Sequence, residues 1–230
     1  REQIDSIIIQ KDCQVSLLIY DDYSTDDTYR IVKSLPYKNI KIIRNNKNYG
    51  FMKSFLSLVQ KANVHNYDFI ALADQDDIFY KNKFTKSILK LSSSNAVGIS
   101  SSVRCFGSSS KVLNQSRKIS KYDYLFEGAG QGNTFVMKKV FFKEFQFFVK
   151  NNIKSLSNFY FHDWLIYLFC RSMNYSWFFY NKPLTYYRIH DNNVVGDKYS
   201  FEGVKNRLSK ISSGWYYNQI KIANQISISI

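Results

Sequence analysis

The segment Val15-Ser-Leu-Leu-Ile-Tyr-Asp-Asp-Tyr-Ser-Thr-Asp-Asp-Thr28 places a short apolar run directly before a cluster of acidic residues. The apolar part, residues 15–20, is typical of a buried strand. Ser24 is expected to be the N-cap of the next helix, with Asp26 and Asp27 in its first turn. A strand that ends on carboxylates and leads into a helix is the first half of an α/β unit.

The same order recurs along the chain, so we expect an α/β fold with a mostly parallel central sheet flanked by helices. Ligands of such sheets sit beyond the carboxyl ends of the strands. Residues 1–198 are expected to form this domain, and residues 199–230 a basic amphipathic helical tail. Strands are expected near residues 15–20, 40–43, 67–73, 97–103, 134–137, 177–180 and 184–188, and helices near 4–8, 24–33, 55–62, 84–91, 138–149 and 162–173.

Composition limits the class of protein. The 230 residues suit one large domain, and 45% hydrophobic residues suffice for a sizeable core. Cys13, Cys105 and Cys170 are odd in number and far apart, which favours reduced thiols in a cytosolic compartment over disulfides or a thiolate zinc site. No apolar stretch is long enough to span a membrane, and no signal peptide is evident. The start without methionine suggests a fragment.

The chain is strongly basic, with 32 Lys and Arg against 18 Asp and Glu, a net charge of +14. Nucleic acid, an anionic membrane surface or an acidic substrate could each explain this charge, and so could a solvated basic surface. The basic residues are dispersed, which weakens the nucleic-acid interpretation. The few carboxylates are instead concentrated at the ends of apolar runs.

The strongest of these acidic clusters is Asp74-Gln75-Asp76-Asp77, which follows the apolar run Phe69-Ile70-Ala71-Leu72. Mg²⁺ is commonly bound by one or two carboxylates together with substrate phosphates. Two carboxylates spaced as D-x-D at a strand end can share one ion, which would neutralise a leaving diphosphate. The alternative is a solvated acidic turn that caps the next helix.

Three further groups are weaker alone. Asp21 and Asp22 could accept hydrogen bonds from a nucleobase or ribose, or could cap a helix. Asp163, in His162-Asp163-Trp164, begins an apolar helix and is the candidate general base, although such carboxylates are often only helix caps. Arg188 could bind phosphate. His190 could ligate a metal or be an ordinary turn histidine.

A glycine-rich stretch, Glu127-Gly-Ala-Gly-Gln-Gly132, resembles a dinucleotide-binding loop but lacks its last glycine, because Asn133 stands there. It also follows no clear first strand. We expect it to line a pocket, where Gly132 and its neighbours would let the backbone approach a ligand closely.

Taken together, these motifs resemble family 2 glycosyltransferases over about residues 2–196, most closely the bacterial rhamnosyltransferase-type branch that builds surface polysaccharides. The matching segments are 15–28 with the "DDxSxDxT" turn, Asn48-Tyr49-Gly50 with Phe55, Ala73-Asp-Gln-Asp-Asp-Ile78 with the D-x-D motif, His162-Asp163-Trp164 at the place of the catalytic aspartate, and Tyr187-Arg-Ile-His-Asp-Asn-Asn-Val-Val-Gly196 with the "YRxHxxNxxG" ending.

The resemblance implies a GT-A fold and inversion at the anomeric carbon. It implies that Asp22 contacts the nucleotide and that Asp163 takes the proton from an acceptor hydroxyl. Asp74 and Asp76 would hold Mg²⁺ or Mn²⁺ on the diphosphate, with help from Arg188 and His190. The donor would be a dTDP-deoxysugar or UDP-sugar, and the acceptor a glycan or lipid-linked hydroxyl at the inner face of the bacterial plasma membrane.

The chain departs from the family pattern in three places. The family's first strand, before the helix at residues 1–10, is absent. Tyr23 replaces a glycine, and Ile78-Phe79 replaces Val-Trp. Alternatives to a transferase are therefore a nucleotide-sugar-binding relative without turnover, a basic nucleic-acid-binding module and, more weakly, a nucleotidyltransferase.

Overall fold

The computed structural model describes residues 1–107, 110–189, 209 and 211–230. The helices are α1 (Glu2–Ile8), α2 (Thr28–Lys33), α3 (Phe51–Lys61), α4 (Lys83–Ser92), α5 (Lys139–Leu156), α6 (His162–Ser172) and α7 (Trp215–Ser229). The strands are β1 (Leu17–Asp21), β2 (Ile40–Arg44), β3 (Phe69–Ala71), β4 (Ile78–Phe79), β5 (Gly98–Gly107), β6 (Val112–Leu113), β7 (Val136–Lys138) and β8 (Trp177–Ile189). Short 3₁₀ turns cover Asp123–Leu125 and Gly132–Thr134.

The strands form two sheets rather than one. Strands β1 and β2 pair in parallel, and a six-stranded sheet has the order β3-β7-β5-β8-β4 with β6 beside β5. Strands β5 and β8 are parallel because α5 and α6 lie between them in the chain and provide the crossover. The remaining pairs are short and antiparallel. The six-stranded sheet is thus mixed, with its longest pairing, β5 with β8, parallel.

The two sheets share one apolar cluster. Leu17 of β1 and Phe69 and Ala71 of β3 pack against the same buried group, which includes Ile7 and Ile99. Within the described residues β1 pairs only with β2, and β3 only with β7. Within the described residues, the two sheets are therefore held together by side-chain packing and not by backbone hydrogen bonds between their strands.

The larger core lies under α3, α5 and α6, where aromatic rings dominate. Phe169 of α6 packs against Phe141, Phe145 and Phe148 of α5, with ring centroids 5.0–5.8 Å apart. Burial of each such side chain stabilises the fold by about 1.5–3 kcal/mol. Because α6 is buried from Trp164 to Cys170, its first turn is fixed rigidly against the sheet.

Helix α2 begins later than its sequence predicts. Its N-cap is Asp27, not Ser24. The carboxylate of Asp21 accepts hydrogen bonds from both the backbone N–H and the hydroxyl of Ser24, and Tyr23 adopts a positive φ of 67°. This side-chain bond forms a turn that competes with the first helical turn, so the helix starts only after it.

The predicted tail, residues 199–230, is only partly within the described residues, since 199–208 and 210 lie outside them. Helix α7 starts at Trp215 and contains one basic residue, Lys221. It buries Ala223 and Ile226 against the main core, and Ser227 bonds Ser172 of α6 at 2.9 Å. Helix α7 is therefore part of the packed domain. Among the helices that the structure describes, none is both long enough and apolar enough to cross a bilayer.

Candidate active site

Asp74 lies where β3 ends, close enough to three other carboxylates for their charges to act on it. Burial, together with the negative charges of Asp77, Asp76 and Asp163, raises the pKa of Asp74 to about 7, whereas Lys83 opposes the rise. Asp163 comes from the first turn of α6, far away in the sequence. The fold therefore brings the candidate base to the D-x-D turn, as expected if both act on one ligand.

Asp77 ties this acidic turn to the end of β8. Its side chain is fully buried, Asn133 donates an amide N–H to one carboxylate oxygen, and the backbone N–H of Arg188 donates to the other at 3.0 Å. Burial raises the pKa of Asp77 to about 6, although these hydrogen bonds oppose that rise. Asp77 thus fixes the position of the acidic turn through its buried hydrogen bonds.

Arg188 lies at the same turn. Its Nε donates to the backbone carbonyl of Asp76 at 3.0 Å, its guanidinium lies 4.4 Å from the ring of Phe106, and its Nη2 pairs with Glu2 at 3.1 Å. The expected position beside the D-x-D motif is therefore observed. His190, the expected metal ligand that follows, lies outside the described residues.

Lys83, the first residue of α4, is a member of the site that sequence reasoning missed. It is fully buried, and its ammonium donates to the backbone carbonyl of Asn133 and lies 3.2 Å from the ring centroid of Phe79. Burial lowers its pKa well below the usual range, and the negative charges of Asp77 and Asp74 oppose this. Lys83 therefore joins the start of α4 to the backbone of Asn133, next to the acidic turn.

Lys83→Met is expected to destabilise the protein by about 1–3 kcal/mol, because it leaves the buried carbonyl of Asn133 without the ammonium group that donates to it. Urea unfolding followed by circular dichroism would measure this loss. Lys86→Met, at an exposed position of the same helix, is the matched control and should change the free energy of unfolding by less than about 0.5 kcal/mol. Equal stabilities for the two variants would contradict the role given to Lys83.

Asp22 connects the end of β1 to the start of α3. Its carboxylate accepts hydrogen bonds from the backbone N–H groups of Tyr49 and Gly50, at 3.0 and 2.8 Å, and from the side chain of Asn45 at 2.7 Å. Burial alone would raise the pKa of Asp22, but these bonds and one from Ser54 together hold it below its usual value. Asp22 therefore orders the loop that leads into α3.

The neighbouring carboxylate does not share this position. Asp21 is only 4% exposed, and its oxygens face Ser24 and the Nε of Arg44, the latter at 3.1 Å. Asp21 is thus held by contacts within the protein, and its predicted contact with the nucleotide stays a prediction.

The stability contribution of Asp22 should depend on pH. Since its folded-state pKa is depressed, its contribution is present above the unfolded pKa and is lost as pH falls through the folded one. Asp22→Asn should lower the free energy of unfolding by about 1 kcal/mol at pH 7, and the difference should shrink below about pH 4. Urea titrations at both pH values would measure it, with Asp68→Asn as the exposed control. A difference that is constant with pH would count against this account.

Asp163 is partly exposed, and its Oδ1 accepts the backbone N–H of Trp164 at 2.7 Å. Its neighbours fix the helix start. The indole N–H of Trp164 donates to the carbonyl of Tyr124 at 2.7 Å, and His162 is buried between the rings of Phe51 and Phe55. Burial lowers the pKa of His162 to about 4, so its imidazole is neutral at pH 7.

The glycine-rich stretch supports this helix start. A Cβ on Gly132 would lie 2.5 Å from Nε2 of His162, and one on Gly128 would lie 2.9 Å from the Cα of Trp164. The close approach that these glycines permit is thus to α6 itself. Gly132 packs on the residue before Asp163, and its predicted contact with the nucleotide sugar stays a prediction.

A second anchor of α6 also escaped sequence reasoning. Asp123 is buried and accepts hydrogen bonds from Tyr167 and Arg171 of α6, at 2.7 and 2.9 Å. Arg117 also faces Asp123, at 3.7 Å, and pairs with Glu127. These contacts hold the loop before the glycine-rich stretch against α6. No local sequence pattern predicts them.

The acidic turn suits a divalent cation that shares its coordination with a ligand. Among the residues that the structure describes, Lys83 is the only buried lysine or arginine, and it lies next to several carboxylates. Among the described residues no three His, Cys, Asp or Glu side chains are grouped to enclose a metal by themselves. Mg²⁺ and Mn²⁺ sites that use one or two carboxylates plus phosphate oxygens need no such enclosure. Asp74 and Asp76 fit that kind of site.

Comparison with known proteins gives a consistent result. The family model "Glycosyl transferase family 2" matches residues 1–165. A curated relative, the dTDP-rhamnosyl transferase RfbG of Shigella flexneri, is 39% identical over 98% of this chain and 81% of its own length.

Two solved structures share the fold. One is TarS 1-349 of S. aureus in complex with UDP-GlcNAc, with a TM-score of 0.60 and 16% identity over 84% of this chain. The other is the mannosyltransferase PcManGT of Pyrobaculum calidifontis in complex with GDP-Man and Mn²⁺, with a TM-score of 0.59 and 12% identity over 84%. The chain spans 55% and 53% of these two structures.

Proposed function

The chain belongs to glycosyl transferase family 2, and we propose that it moves rhamnose from a dTDP donor to a hydroxyl of a glycan or lipid-linked acceptor, with inversion. The observation that carries this proposal is the convergence of Asp163 with Asp74, Asp76 and Asp77. The name of the Shigella relative supports rhamnose and dTDP as the donor groups.

Asp163 acts as the general base. As the acceptor hydroxyl attacks the anomeric carbon, a bond forms from its oxygen to that carbon, and the bond from the carbon to the diphosphate oxygen breaks. The proton passes from the hydroxyl to the Asp163 carboxylate, and the bonding electrons leave with the diphosphate. A base positioned in this way accelerates such reactions by about 10²–10⁴-fold. Attack opposite to the leaving group inverts the configuration.

Asp74 and Asp76 would hold a divalent cation, Mg²⁺ or Mn²⁺. When bound, the cation neutralises charge on the leaving diphosphate. Arg188 adds a positive charge beside the same turn, and the Mn²⁺ complex of the fold relative is consistent with this arrangement. Asp22 would contact the base or ribose of the nucleotide from the end of β1.

The proposed location is the cytoplasmic face of the bacterial plasma membrane, with peripheral contact. The net charge of +14 supports it, because basic surfaces are attracted to anionic lipid headgroups. A lipid-linked acceptor would be presented at that surface.

The proposal is tested by equilibrium binding of dTDP-rhamnose, UDP-GlcNAc and GDP-mannose, each with Mn²⁺ and with EDTA. We expect metal-dependent binding with dTDP-rhamnose tightest, and an inverted anomeric configuration in the NMR spectrum of the transfer product. Preference for UDP-GlcNAc or GDP-mannose would overturn the choice of donor. Binding without any turnover would instead indicate a nucleotide-sugar-binding relative.

A further inference from the structure

A second concave site lies beside the proposed donor site. It is a cavity of about 620 Å³ between the end of β2, one face of α3 and the last turn of α5. Four cations line it, and no carboxylate does; the cations are Arg44, Lys53, Lys61 and Lys154. Ligand pockets typically have volumes of about 300–1,000 Å³, so the cavity can hold a small polar group.

The positive charge of this cavity is only partly neutralised by the protein. Arg44 pairs with Asp21, and Lys61 donates a hydrogen bond to the hydroxyl of Tyr20 at 3.1 Å. Lys53 and Lys154 are exposed and belong to no ion pair within the described residues. A ligand with at least two negative charges would complement this arrangement, since lysine ammonium groups bind phosphates as point charges.

A chain of hydrogen bonds connects the cavity to Asp22. Lys61 donates to the hydroxyl of Tyr20, which donates to the side-chain oxygen of Asn45 at 2.8 Å. Asn45 in turn donates from its Nδ2 to Asp22 at 2.7 Å. Tyr20 and Asn45 line the cavity, whereas Asp22 does not. The cavity is thus next to the candidate nucleotide contact and distinct from it.

We propose that this cavity binds the phosphate or diphosphate group of a ligand other than the sugar donor. The recognising groups are the ammonium groups of Lys53, Lys61 and Lys154, together with the guanidinium of Arg44. The phosphate could be free in solution or could belong to a lipid headgroup. The binding itself does not depend on the proposed transfer reaction, so each can fail without the other.

The test is calorimetric titration with inorganic diphosphate in EDTA, so that no metal can bridge the ligand to the acidic turn. We expect binding to the wild type, and about tenfold weaker binding to the Lys53→Gln/Lys154→Gln double variant. The control, Lys86→Gln/Lys90→Gln, removes the same charge from exposed positions of α4 and should bind like the wild type. Thermal melts would confirm that both variants fold.

Vesicles distinguish the two sources of phosphate. Phosphatidylglycerol vesicles that bind the wild type, release it on addition of diphosphate and bind the double variant more weakly would indicate a headgroup. Diphosphate binding without vesicle binding would indicate a soluble ligand. Absence of both, or equal weakening by the two pairs of substitutions, would overturn the proposal.

Discussion

Asp163→Asn is expected to lower kcat by about 10²–10⁴-fold, while the dissociation constant of the donor changes by no more than about threefold. Asparagine has nearly the same shape, and its side-chain oxygen can still accept the N–H of Trp164, as Asp163 does at 2.7 Å. It cannot accept the proton of the acceptor hydroxyl. The loss should therefore fall on the chemical step and not on donor binding.

Single-turnover transfer and donor titration would separate these two effects. Asp68→Asn provides the matched control, since Asp68 is exposed and precedes β3. Its kcat should equal that of the wild type. If Asp163→Asn changed only the KM of the donor and left kcat intact, Asp163 would not be the base.

Asp76→Ala is expected to lower kcat/KM by about 10²–10³-fold and to abolish the dependence of donor binding on Mn²⁺. The physical reason is that the leaving diphosphate loses its neutralising cation. The backbone carbonyl of Asp76, which accepts the Nε of Arg188, is retained in the variant, so the turn should keep its shape. Titration of Mn²⁺ followed by electron paramagnetic resonance would measure the cation directly.

Asp77→Asn gives the informative contrast to Asp76→Ala. Because Asp77 is fully buried and bonded to Asn133 and Arg188, its substitution should lower the melting temperature as well as activity. Asp76→Ala should leave the melting temperature nearly unchanged. Unchanged Mn²⁺ affinity in Asp76→Ala would rule out the metal site proposed at this turn.

The elements best predicted from sequence were those with a strong apolar period. The helix expected at 162–173 is α6, and the helices expected around Phe55 and Phe84 are α3 and α4. Their apolar faces are buried in the cores, so pattern and packing agree. The resemblance to family 2 glycosyltransferases is confirmed by the family match and by the relative from Shigella.

The sequence-based predictions were wrong where an element's bounds depend on contacts outside its own local pattern. Serine is a common N-cap residue, but Ser24 is hydrogen-bonded to the carboxylate of Asp21, and α2 begins only at Thr28. Two strands expected at 177–180 and 184–188 are one strand, β8, because irregularities in its pairing with β5 absorb Asn181, Lys182 and Leu184, while Pro183 pairs with Ser102. The start of α2 and the extent of β8 depend on hydrogen-bond and strand-pairing partners that a local sequence pattern does not contain.

The candidate site shows the same limit. Its acidic residues are visible in the sequence because they interrupt apolar runs. Lys83 and Asn133 cannot be recognised in this way. Lys83 looks like an ordinary residue at a helix start, and Asn133 stands where a dinucleotide-binding loop would have its last glycine. Only the fold places the ammonium of Lys83 on the carbonyl of Asn133 and the amide of Asn133 on Asp77.

We expect the D-x-D turn and Asp163 to act together on one bound donor. The rate of dTDP release from dTDP-rhamnose in the presence of acceptor, with Mn²⁺ or EDTA, would test this for wild type, Asp76→Ala and Asp163→Asn. We predict Mn²⁺-dependent release by the wild type and loss in both variants, with donor binding retained only by Asp163→Asn. Equal release by the wild type and Asp163→Asn would contradict the account.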